Sequence, residues 1–304
     1  MKKFLVTGGA GFIGSHLVKK LVESNYQITV LDDLNTGKKS NIKNLFEKIN
    51  FVQGDIRDKD LVDKLSKEQD GIFHLAARAS VQESFEKPKE YHDVNVVGTE
   101  NIFDVGKKYG LKVVFSSSSS VYGNPELIPI KENSSKNPVN PYAVTKLEKE
   151  KLATKYSLNG LSVIGLRYLN VFGEGQSSQY AGVIKLFLEK IEKKLPPKIN
   201  GDGSQSRDFV YVKDVVNANI LAMNSNIKYA FFNVGTGTTM SILEIAKMML
   251  KYANLDLEPI FGPNLPGDVK ITLADISMIK KQLNWEPTVF LEEWLSKKIS
   301  EMDN

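Results

Sequence analysis

The sequence predicts an α/β fold: a doubly wound parallel sheet with helices on both faces, joined to a smaller, interleaved α/β lobe in the C-terminal half. Three observations support this prediction. Short apolar runs alternate with amphipathic stretches through the first half, a glycine-rich turn follows the first run, and the alternation loosens beyond about residue 172. Strand–helix alternation at this spacing indicates a parallel sheet, because the crossover connections must cover its faces.

Each predicted element follows from the period of its apolar residues. The strands are expected at 4–7, 28–31, 51–53, 71–75, 113–116 and 162–167. The helices are expected at 13–24, 60–67, 91–109, 141–157, 182–193, 215–223 and 241–251. We expect residues 1–171 with about 208–238 to form the first domain, and about 172–207 with 239–304 to form the smaller lobe.

The composition excludes several classes of function. The chain has 304 residues, 41% hydrophobic and 25% charged, which is typical of a globular protein with one or two domains. A net charge of +4 with scattered basic residues favours no nucleic-acid partner, and no apolar run approaches the roughly 20 residues that span a bilayer. Cysteine is absent and the three histidines lie far apart, so no metal site is expected. We therefore expect a cytoplasmic protein.

A glycine-rich turn directly follows the first strand and opens the first helix. It places Gly8, Gly11 and Gly14 at intervals of three, with Phe12 and Ile13 between the last two. Glycine is needed where the chain turns tightly and where its backbone approaches a pyrophosphate, and the helix N-terminus then offers free N–H groups. Helix–strand packing alone also uses glycine, but the strand–turn–helix context favours a Rossmann-like dinucleotide site.

Acidic residues follow the second and third strands. Asp32 and Asp33 end the second strand, where a carboxylate can accept the ribose hydroxyls of NAD and would repel the 2′-phosphate of NADP. The sequence therefore predicts NAD, with Asp32 as the ribose acceptor and Asp33 as the better candidate for a solvated turn. Asp55 follows the third strand, and two interpretations stay open for it: contact with the adenine, or a turn or helix cap.

The fourth strand closes with small residues, as a backbone that lies against a cofactor requires. These are Ala76 and Ala77, after Leu75. His74, just before them, is expected to be a packed histidine rather than a catalytic one. Asn95 lies inside the third predicted helix among valines, so we expect its side chain to point inward.

Tyr142 and Lys146 lie near the start of the fourth predicted helix. A spacing of four residues places the phenol and the ammonium on one helical face. A nearby ammonium favours the phenolate, so we expect Lys146 to lower a phenol pKa that is otherwise near 10. The pair on its own is often a solvated helix face. Its position downstream of the glycine turn and of a strand that ends in serines favours a catalytic role.

Taken together, these motifs resemble the extended short-chain dehydrogenases/reductases and, within them, the UDP-glucose 4-epimerase family. The resemblance covers nearly the whole chain through residues 7–14, 32–37, 74–77, 115–123, 142–146, 167–170, 201–212 and 267–275. It implies that NAD contacts Gly8, Gly11, Phe12, Ile13, Gly14, Asp32, Asp33, Asn35, Thr36, Gly37, Asp55, Ile56, Leu75, Ala76, Ala77, Asn95, Ser116, Tyr142, Lys146 and Tyr168.

The same resemblance assigns the catalytic hydroxyl partner of Tyr142 to Ser118 in the serine run 116–120. The related 4,6-dehydratases carry an Asp–Glu pair after the matching residue, because eliminating water needs an added acid and base, and the decarboxylating relatives also use a Glu there. This chain has serines at those positions, so the resemblance implies plain epimerisation. Tyr142 would take the 4′-hydroxyl proton, and a hydride would pass from C4′ to NAD and return to the opposite face.

The resemblance also places substrate contacts in the C-terminal half. Asn170 would donate to the diphosphate, Arg207 would grip it, and Asp268 would accept the uridine ribose hydroxyls; Ser118, Tyr142 and Val183 complete the predicted set. The chain has four arginines among 40 basic residues, so each is expected to be needed for its planar fork. A surface pair between Arg207 and Asp208 is the alternative. The chain departs from the family at Leu265, where relatives have a second phosphate-binding arginine.

Two positions bear on the choice of sugar. Asn200 stands where relatives often stack an aromatic residue on the uracil, and Thr272 stands where enzymes restricted to glucose and galactose have a bulky tyrosine. At both positions the chain resembles epimerases that act on N-acetylated hexosamines. At Thr272 the reason is size, because a small residue leaves room for a 2-acetamido group. UDP-glucose with UDP-galactose, and additionally UDP-GlcNAc with UDP-GalNAc, are thus the expected substrates.

Three interpretations of function stay open at this point: a UDP-hexose 4-epimerase, another nucleotide-sugar enzyme of the superfamily such as a UDP-glucuronate 4-epimerase, and a non-catalytic NAD-binding protein, since a fold alone does not fix a function. The intact set of Ser118, Tyr142 and Lys146 favours an enzyme. The resemblance further implies a homodimer, built from the helices at about 91–109 and 142–157.

Overall fold

A seven-stranded parallel sheet forms the centre of the molecule in the computed structural model, which describes residues 1–176 and 182–302. Its strands lie in the order β11-β6-β5-β4-β1-β2-β3. They are β1 (Lys3–Thr7), β2 (Gln27–Asp32), β3 (Ile49–Gln53), β4 (Gly71–His74), β5 (Lys112–Ser118), β6 (Val163–Tyr168) and β11 (Tyr229–Val234). The predicted α/β class is confirmed, and all six predicted strands are present. The edge strand β11 was not predicted.

Helices cover both faces of the sheet, as the crossover connections require. They are α1 (Phe12–Glu23), α2 (Lys59–Ser66), α3 (Val81–Glu86), α4 (Pro88–His92), α5 (Gly98–Tyr109), α6 (Pro141–Leu158), α7 (Val183–Glu192), α8 (Val212–Asn224), α9 (Ile242–Tyr252), α10 (Ser277–Leu283) and α11 (Leu291–Ser300). One core packs α1, α8 and α10 on one face of the sheet, and a second core packs α2, α5 and α6 on the other.

The helix predicted at 91–109 is present in three parts. Helix α4 runs directly into a π-helical turn (Asp93–Val97), which continues into α5. Asn95 lies in this π-helical turn and is fully buried, as its valine neighbours predicted. Such turns occur within α-helices mostly as single inserted turns, frequently at functional sites.

The smaller lobe has its own apolar core, formed by α7, α9 and α11. Three two-stranded pairs surround it: β7 (Asn170–Phe172) with β10 (Phe209–Tyr211), β8 (Lys198–Asn200) with β13 (Ile260–Gly262), and β9 (Ser206–Arg207) with β12 (Met240–Ser241). Strand β10 follows β9 directly and runs into α8, which packs on the central sheet. The chain therefore crosses from the lobe to the first domain and later enters the lobe again. This path agrees with the predicted interleaving.

One stretch of the C-terminal half, the 265–275 segment, is bonded to the first domain. Ile130 donates its amide to Leu273 O (2.7 Å) and accepts the amide of Asp275 (2.8 Å), and Asn124 Oδ1 accepts the amide of Lys270 (3.0 Å). Trp285, further along, is buried in the first core. The predicted domain boundary at 239 stays a prediction, and these contacts tie the chain after residue 265 to the first domain as well as to the lobe.

Within residues 1–176 and 182–302, no helix has the length and apolarity needed to cross a membrane. The same residues contain no group of three or more His, Asp and Glu side chains placed to hold a metal ion.

Candidate active site

The glycine turn after β1 closes against the end of β4. Gly8 has a φ of +71°, and a Cβ built there would lie 2.7 Å from the amide nitrogen of Ala76. At Gly14 a Cβ would lie 2.0 Å from the carbonyl oxygen of Gly8. Both positions therefore exclude any side chain: Gly8 because of its positive φ and the backbone after β4, and Gly14 because α1 contacts the turn.

Gly11 differs, because its surroundings are open. A Cβ there would meet only Gly8 O, at 3.2 Å, and Gly11 is the N-cap of α1 without any side-chain capping bond. The first N–H groups of a helix have no intrahelical partner, so this end of α1 is suited to an anion such as a pyrophosphate. The glycine turn thus fits a dinucleotide by its shape as well as by its sequence.

Asp32, at the end of β2, is buried and holds the turn together. One carboxylate oxygen accepts the amide of Ala10 (2.9 Å), and the other accepts the amide of Leu34 (2.8 Å). Burial raises the pKa of Asp32, and these two amides partly offset the rise. Asp32 also lines the cavity, and each of its carboxylate oxygens can accept a further hydrogen bond, as from a ribose hydroxyl.

A single cavity joins the glycine turn to Tyr142. Most of the predicted cofactor residues line it: Gly8, Gly11, Phe12, Ile13, Gly14, Asp32, Asp33, Thr36, Asp55, Ile56, Leu75, Ala76, Ala77, Ser116, Tyr142, Lys146 and Tyr168. Asn35, Gly37 and Asn95 do not line it. Gly37 instead packs on Asp32, since a Cβ there would lie 2.8 Å from Oδ1. Among the lining residues that the sequence analysis did not single out, Arg78 has the most polar contacts.

His74 is a packed histidine, as the sequence predicted. Its ring lies between Thr7 Oγ1 (2.7 Å from Nδ1) and Thr99 Oγ1 (2.9 Å from Nε2), and burial lowers its pKa well below the usual range. Thr99 donates its own proton to Asn95 O, so it must accept the Nε2 proton of His74. Nδ1 is then an acceptor, and the neutral ring ties β4 to β1 and α5.

Asp55 forms the predicted turn, because its Oδ1 accepts the amide of Arg57 (2.8 Å), and its contact with adenine stays a prediction. Asp55 also lines the cavity, and its carboxylate accepts hydrogen bonds from Nε (3.0 Å to each oxygen) and Nη2 (2.6 Å) of Arg57, which lower the pKa of Asp55. The helix cap is instead Asp58, which accepts the amide of Leu61 at the start of α2. Gly54, Asp55 and Ile56 thus form the wall of the cavity after β3, and Arg57 pairs with Asp55 without lining the cavity.

Tyr142 lies in the first turn of α6, which the sequence begins with a strong signal. Asn140 caps the helix by accepting the amide of Ala143 (2.8 Å), and Pro141 fills the first helical position. Ser84 accepts the amide of Tyr142 (3.1 Å), and Thr145 donates to its carbonyl oxygen (2.8 Å). The backbone of Tyr142 is thus fixed from both sides.

The electrostatics of Tyr142 differ from the prediction. Burial raises the pKa of its phenol, a hydrogen bond with Ser118 opposes the rise, and Lys146 makes no comparable contribution. The Lys146 ammonium lies 5.6 Å from the centre of the Tyr142 ring and donates to Ser116 O (3.1 Å). Burial lowers the pKa of Lys146 to about 8, although the charge of Glu150 opposes this. The predicted lowering of the phenol pKa by Lys146 is therefore wrong, because burial, which acts on both partners, dominates at Tyr142.

A buried polar network that the sequence analysis missed supports the catalytic helix. Glu150, one turn after Lys146, accepts two hydrogen bonds from Arg167 (2.8 Å each) and one from Ser117 (2.6 Å). Arg167 also donates to the hydroxyl of Tyr122 (2.6 Å). Because Arg167 is on β6 and Ser117 on β5, the network locks α6 onto the strand that carries Ser118.

Four of the predicted substrate residues lie together where the lobe meets the first domain. Asn170 donates to Thr272 Oγ1 (3.1 Å), which also accepts the amide of Asp208 (3.2 Å). Arg207 bonds to the carboxylate of Asp268 (2.5 Å), and Arg207 also donates to the carbonyl oxygen of Lys270. The alternative pairing of Arg207 with Asp208 is not present, because the buried Asp208 carboxylate accepts amides from the loop after β11 and from the 265–275 segment instead.

Two predicted substrate residues have other surroundings. Asn200 ends β8, where its carbonyl oxygen accepts the side chain of Gln205 (2.7 Å). Val183 begins α7 and packs against the core of the lobe. Leu265, the departure from the family pattern, is exposed and offers no cation. Arg207 is thus the arginine that this structure places beside Asp268.

Comparison with known proteins agrees with this geometry. A model of the NAD dependent epimerase/dehydratase family matches residues 4–235. A putative UDP-glucose 4-epimerase of Methanocaldococcus jannaschii is 42% identical over 305 residues, which cover 99% of this chain and 98% of that protein.

Two solved structures are similar over nearly their whole length. The UDP-glucose 4-epimerase of Thermotoga maritima with UDP-glucose has a TM-score of 0.94 at 36% identity, covering 99% of this chain and 98% of that one. The UDP-N-acetylglucosamine 4-epimerase of Methanobrevibacter ruminantium in complex with UDP-N-acetylmuramic acid has a TM-score of 0.92 at 37% identity, covering 98% and 97%.

Proposed function

Because this chain belongs to the NAD dependent epimerase/dehydratase family, we propose that it is a 4-epimerase that interconverts UDP-glucose and UDP-galactose. The cofactor is NAD. The observation that carries the proposal is the set of Ser118, Tyr142 and Lys146 at one end of the cavity, with serine hydroxyls and no carboxylate in the run beside Ser118.

The acidic residues in the cavity support epimerisation over elimination. In the part of the chain that the structure describes, the carboxylates lining the cavity are Asp32, Asp33 and Asp55. These residues follow β2 and β3, whereas Ser118 ends β5 on the other side of β1. Removing water from the sugar requires an acid and a base beside Tyr142, and this cavity has none to add.

The chain's own residues prepare the substrate and move one proton. Tyr142 removes the proton of the sugar 4′-hydroxyl, and Ser118 holds that hydroxyl by a hydrogen bond. When the substrate binds, Arg207 exchanges its bond to Asp268 for bonds to the diphosphate. The carboxylate of Asp268 is then free to accept the uridine ribose hydroxyls. The NAD held by this cavity would supply a reversible hydride acceptor for C4′, so the reaction would need no net oxidant or reductant.

Thr272 favours a wider substrate range. Its side chain is small and buried, and its hydroxyl is held by Asn170 and by the amide of Asp208. We therefore propose that the enzyme also accepts UDP-GlcNAc and UDP-GalNAc. Substituting Thr272→Tyr should abolish turnover of the N-acetylated sugars and retain turnover of UDP-galactose. The Thr272→Ser variant, which keeps the hydroxyl, is the matched control.

The deciding experiment is incubation of the purified protein with a panel of UDP-sugars, without added NAD, followed by NMR of the products. We expect 4-epimers, no released keto sugar and no lasting absorbance at 340 nm. Turnover of UDP-glucuronate alone, or accumulation of a dehydrated sugar, would replace the proposal with another reaction of the family. Turnover of UDP-galactose without any turnover of UDP-GalNAc would refute the wider range.

We also propose a homodimer formed through the helices at 88–109 and 141–158. Val97 and Val144 are exposed apolar side chains on these helices and support this arrangement. Light scattering coupled to gel filtration tests it, with Val144→Glu as the variant expected to shift the protein toward a monomer.

A further inference from the structure

The Arg78 guanidinium bridges two carboxylates at the mouth of the cavity. Its Nη1 donates to Asp33 Oδ2 (2.9 Å), and its Nε donates to Glu90 Oε1 (3.0 Å). The Arg78 side chain is 9% exposed, against 30% for Asp33 and 37% for Glu90. In a chain with four arginines, this one uses its fork to join two separate elements.

The bridge crosses the cofactor site. Asp33 follows β2 and Arg78 follows β4, while β1, which carries the glycine turn, lies between these two strands in the sheet. Both residues line the same cavity as Gly8 and Gly11. The ion pair therefore spans the edge of the sheet above the turn that fits the pyrophosphate. Glu90, from α4, holds the outer edge of the guanidinium.

Asn95 fixes Arg78 in this position. Its Oδ1 accepts the amide of Arg78 (2.8 Å), and its Nδ2 donates to the carbonyl oxygen of Arg78 (3.0 Å). The same Nδ2 donates to Thr145 Oγ1 (2.9 Å), which donates to the carbonyl oxygen of Tyr142. Asn95, in the π-helical turn, thus holds the backbone of Arg78, and its predicted contact with NAD stays a prediction.

We propose that Arg78, Asp33 and Glu90 form a clasp that slows the release of NAD, so that one cofactor molecule serves many turnovers. This proposal rests on the NAD site and is independent of which sugar the enzyme prefers. The clasp must open for the dinucleotide to leave, and opening breaks the charge-assisted hydrogen bond between Arg78 and Asp33, while Glu90 holds Arg78 in the closed position. Its effect is on the dissociation rate, which is where most affinity differences between related complexes arise.

The test measures cofactor release directly, without sugar. The enzyme with bound NAD is mixed with excess isotope-labelled NAD, and the unlabelled NAD remaining on the protein is followed by mass spectrometry. We expect Arg78→Ala to release NAD about tenfold faster than wild type, and Glu90→Gln, which leaves the cavity lining intact, several-fold faster. Arg78→Lys should behave like Arg78→Ala, because a single ammonium cannot replace the two-sided fork.

Two controls separate the clasp from a general loss of stability. Lys108→Ala removes a surface ion pair with Asp63 (2.6 Å) that lies outside the cavity lining, and it should leave the release rate unchanged. Raising the ionic strength should speed release from wild type and have little effect on the Arg78 variants, because the clasp is partly exposed and screened by salt.

Release rates for Arg78→Lys and Glu90→Gln within twofold of wild type would overturn the proposal, as would rapid release from wild type itself. If Arg78→Ala does not fold, the Glu90→Gln rate alone decides. The sugar panel gives its answer separately, since a wrong substrate leaves the release rates unaffected.

Discussion

Lys149 is a buried amine without a partner, and its removal should stabilise the protein. It lies on α6 three residues after Lys146, is fully buried, and has no hydrogen-bond partner among residues 1–176 and 182–302. Its closest favourable contact is the ring of Phe115, 5.6 Å from Nζ. Burial, and then the charge of Lys146, lower the pKa of Lys149 well below its usual range. The substitution Lys149→Met keeps a long, flexible side chain and removes the amine.

The magnitude follows from the cost of leaving a polar group buried and unpaired, which is about 1–3 kcal/mol. We expect Lys149→Met to raise the free energy of unfolding by about this amount near pH 10, and by more near neutral pH, where folding also has to release the Lys149 proton. The unfolded chain binds the Lys149 proton more tightly than the folded one. The contribution of Lys149 to the free energy of unfolding of the wild type therefore rises with pH. The gap between the two proteins should therefore shrink by about 1.4 kcal/mol per pH unit on approaching the ordinary lysine pKa of about 10.4.

The assay is urea unfolding of both proteins at several pH values between neutrality and about pH 10. Lys146 and Lys112, whose pKa values burial lowers to about 8, titrate in both proteins and cancel in the difference. Lys151→Met is the control, because Lys151 is exposed on the same helix and its substitution should change stability by less than about 0.5 kcal/mol. A gap that is absent, or that stays constant over this pH range, would refute the argument, since Lys149 would then ionise as an exposed lysine does.

Three further predictions concern the active site. Tyr142→Phe should lower kcat by about 10²–10⁴-fold with nearly unchanged NAD content, since it removes the proton acceptor and keeps the ring that lines the cofactor cavity. Equal kcat values would assign the proton transfer elsewhere. Arg207→Ala should weaken inhibition by UDP by about 10–100-fold, with a smaller loss for Asp268→Asn, and unchanged UDP inhibition constants would separate Arg207 from the diphosphate. Glu150→Ala should cost about 3–5 kcal/mol of stability because it strands the buried charge of Arg167, and a loss below about 1 kcal/mol in urea unfolding would contradict that account.

The elements that the sequence predicts well are those with local signals. The glycine turn and the strand–helix alternation both act within a few residues, and each is present where it was expected. Strand β11 was missed because its place is set by pairing with β6, which lies more than 60 residues earlier in the chain. The apolar pattern within this six-residue strand cannot reveal which distant strand it pairs with.

The site residues show the same limit more sharply. Tyr142 and Lys146 could be found from their spacing, but the desolvation that raises the pKa of the phenol depends on everything packed around it. Asn95 could be predicted to point inward, whereas its partner Arg78 comes from another strand end. The one sequence signal that pointed to Arg78 was the scarcity of arginine in this chain, combined with its place directly after the small residues that follow β4.

The bonding of the 265–275 segment has a consequence for protein engineering. This segment carries Asp268 and Thr272, but its backbone is bonded to Ile130 and Asn124, and the side chain of Asn140 donates to Gly267 O while it caps the catalytic helix. Consider a chimera in which everything after residue 239 comes from a relative, so that its sugar-recognising residues are exchanged. The 265–275 segment would then come from one parent, and the residues that bond to it would come from the other. If residues 124–140 are exchanged together with residues 265–275, both sides of this contact come from the same parent.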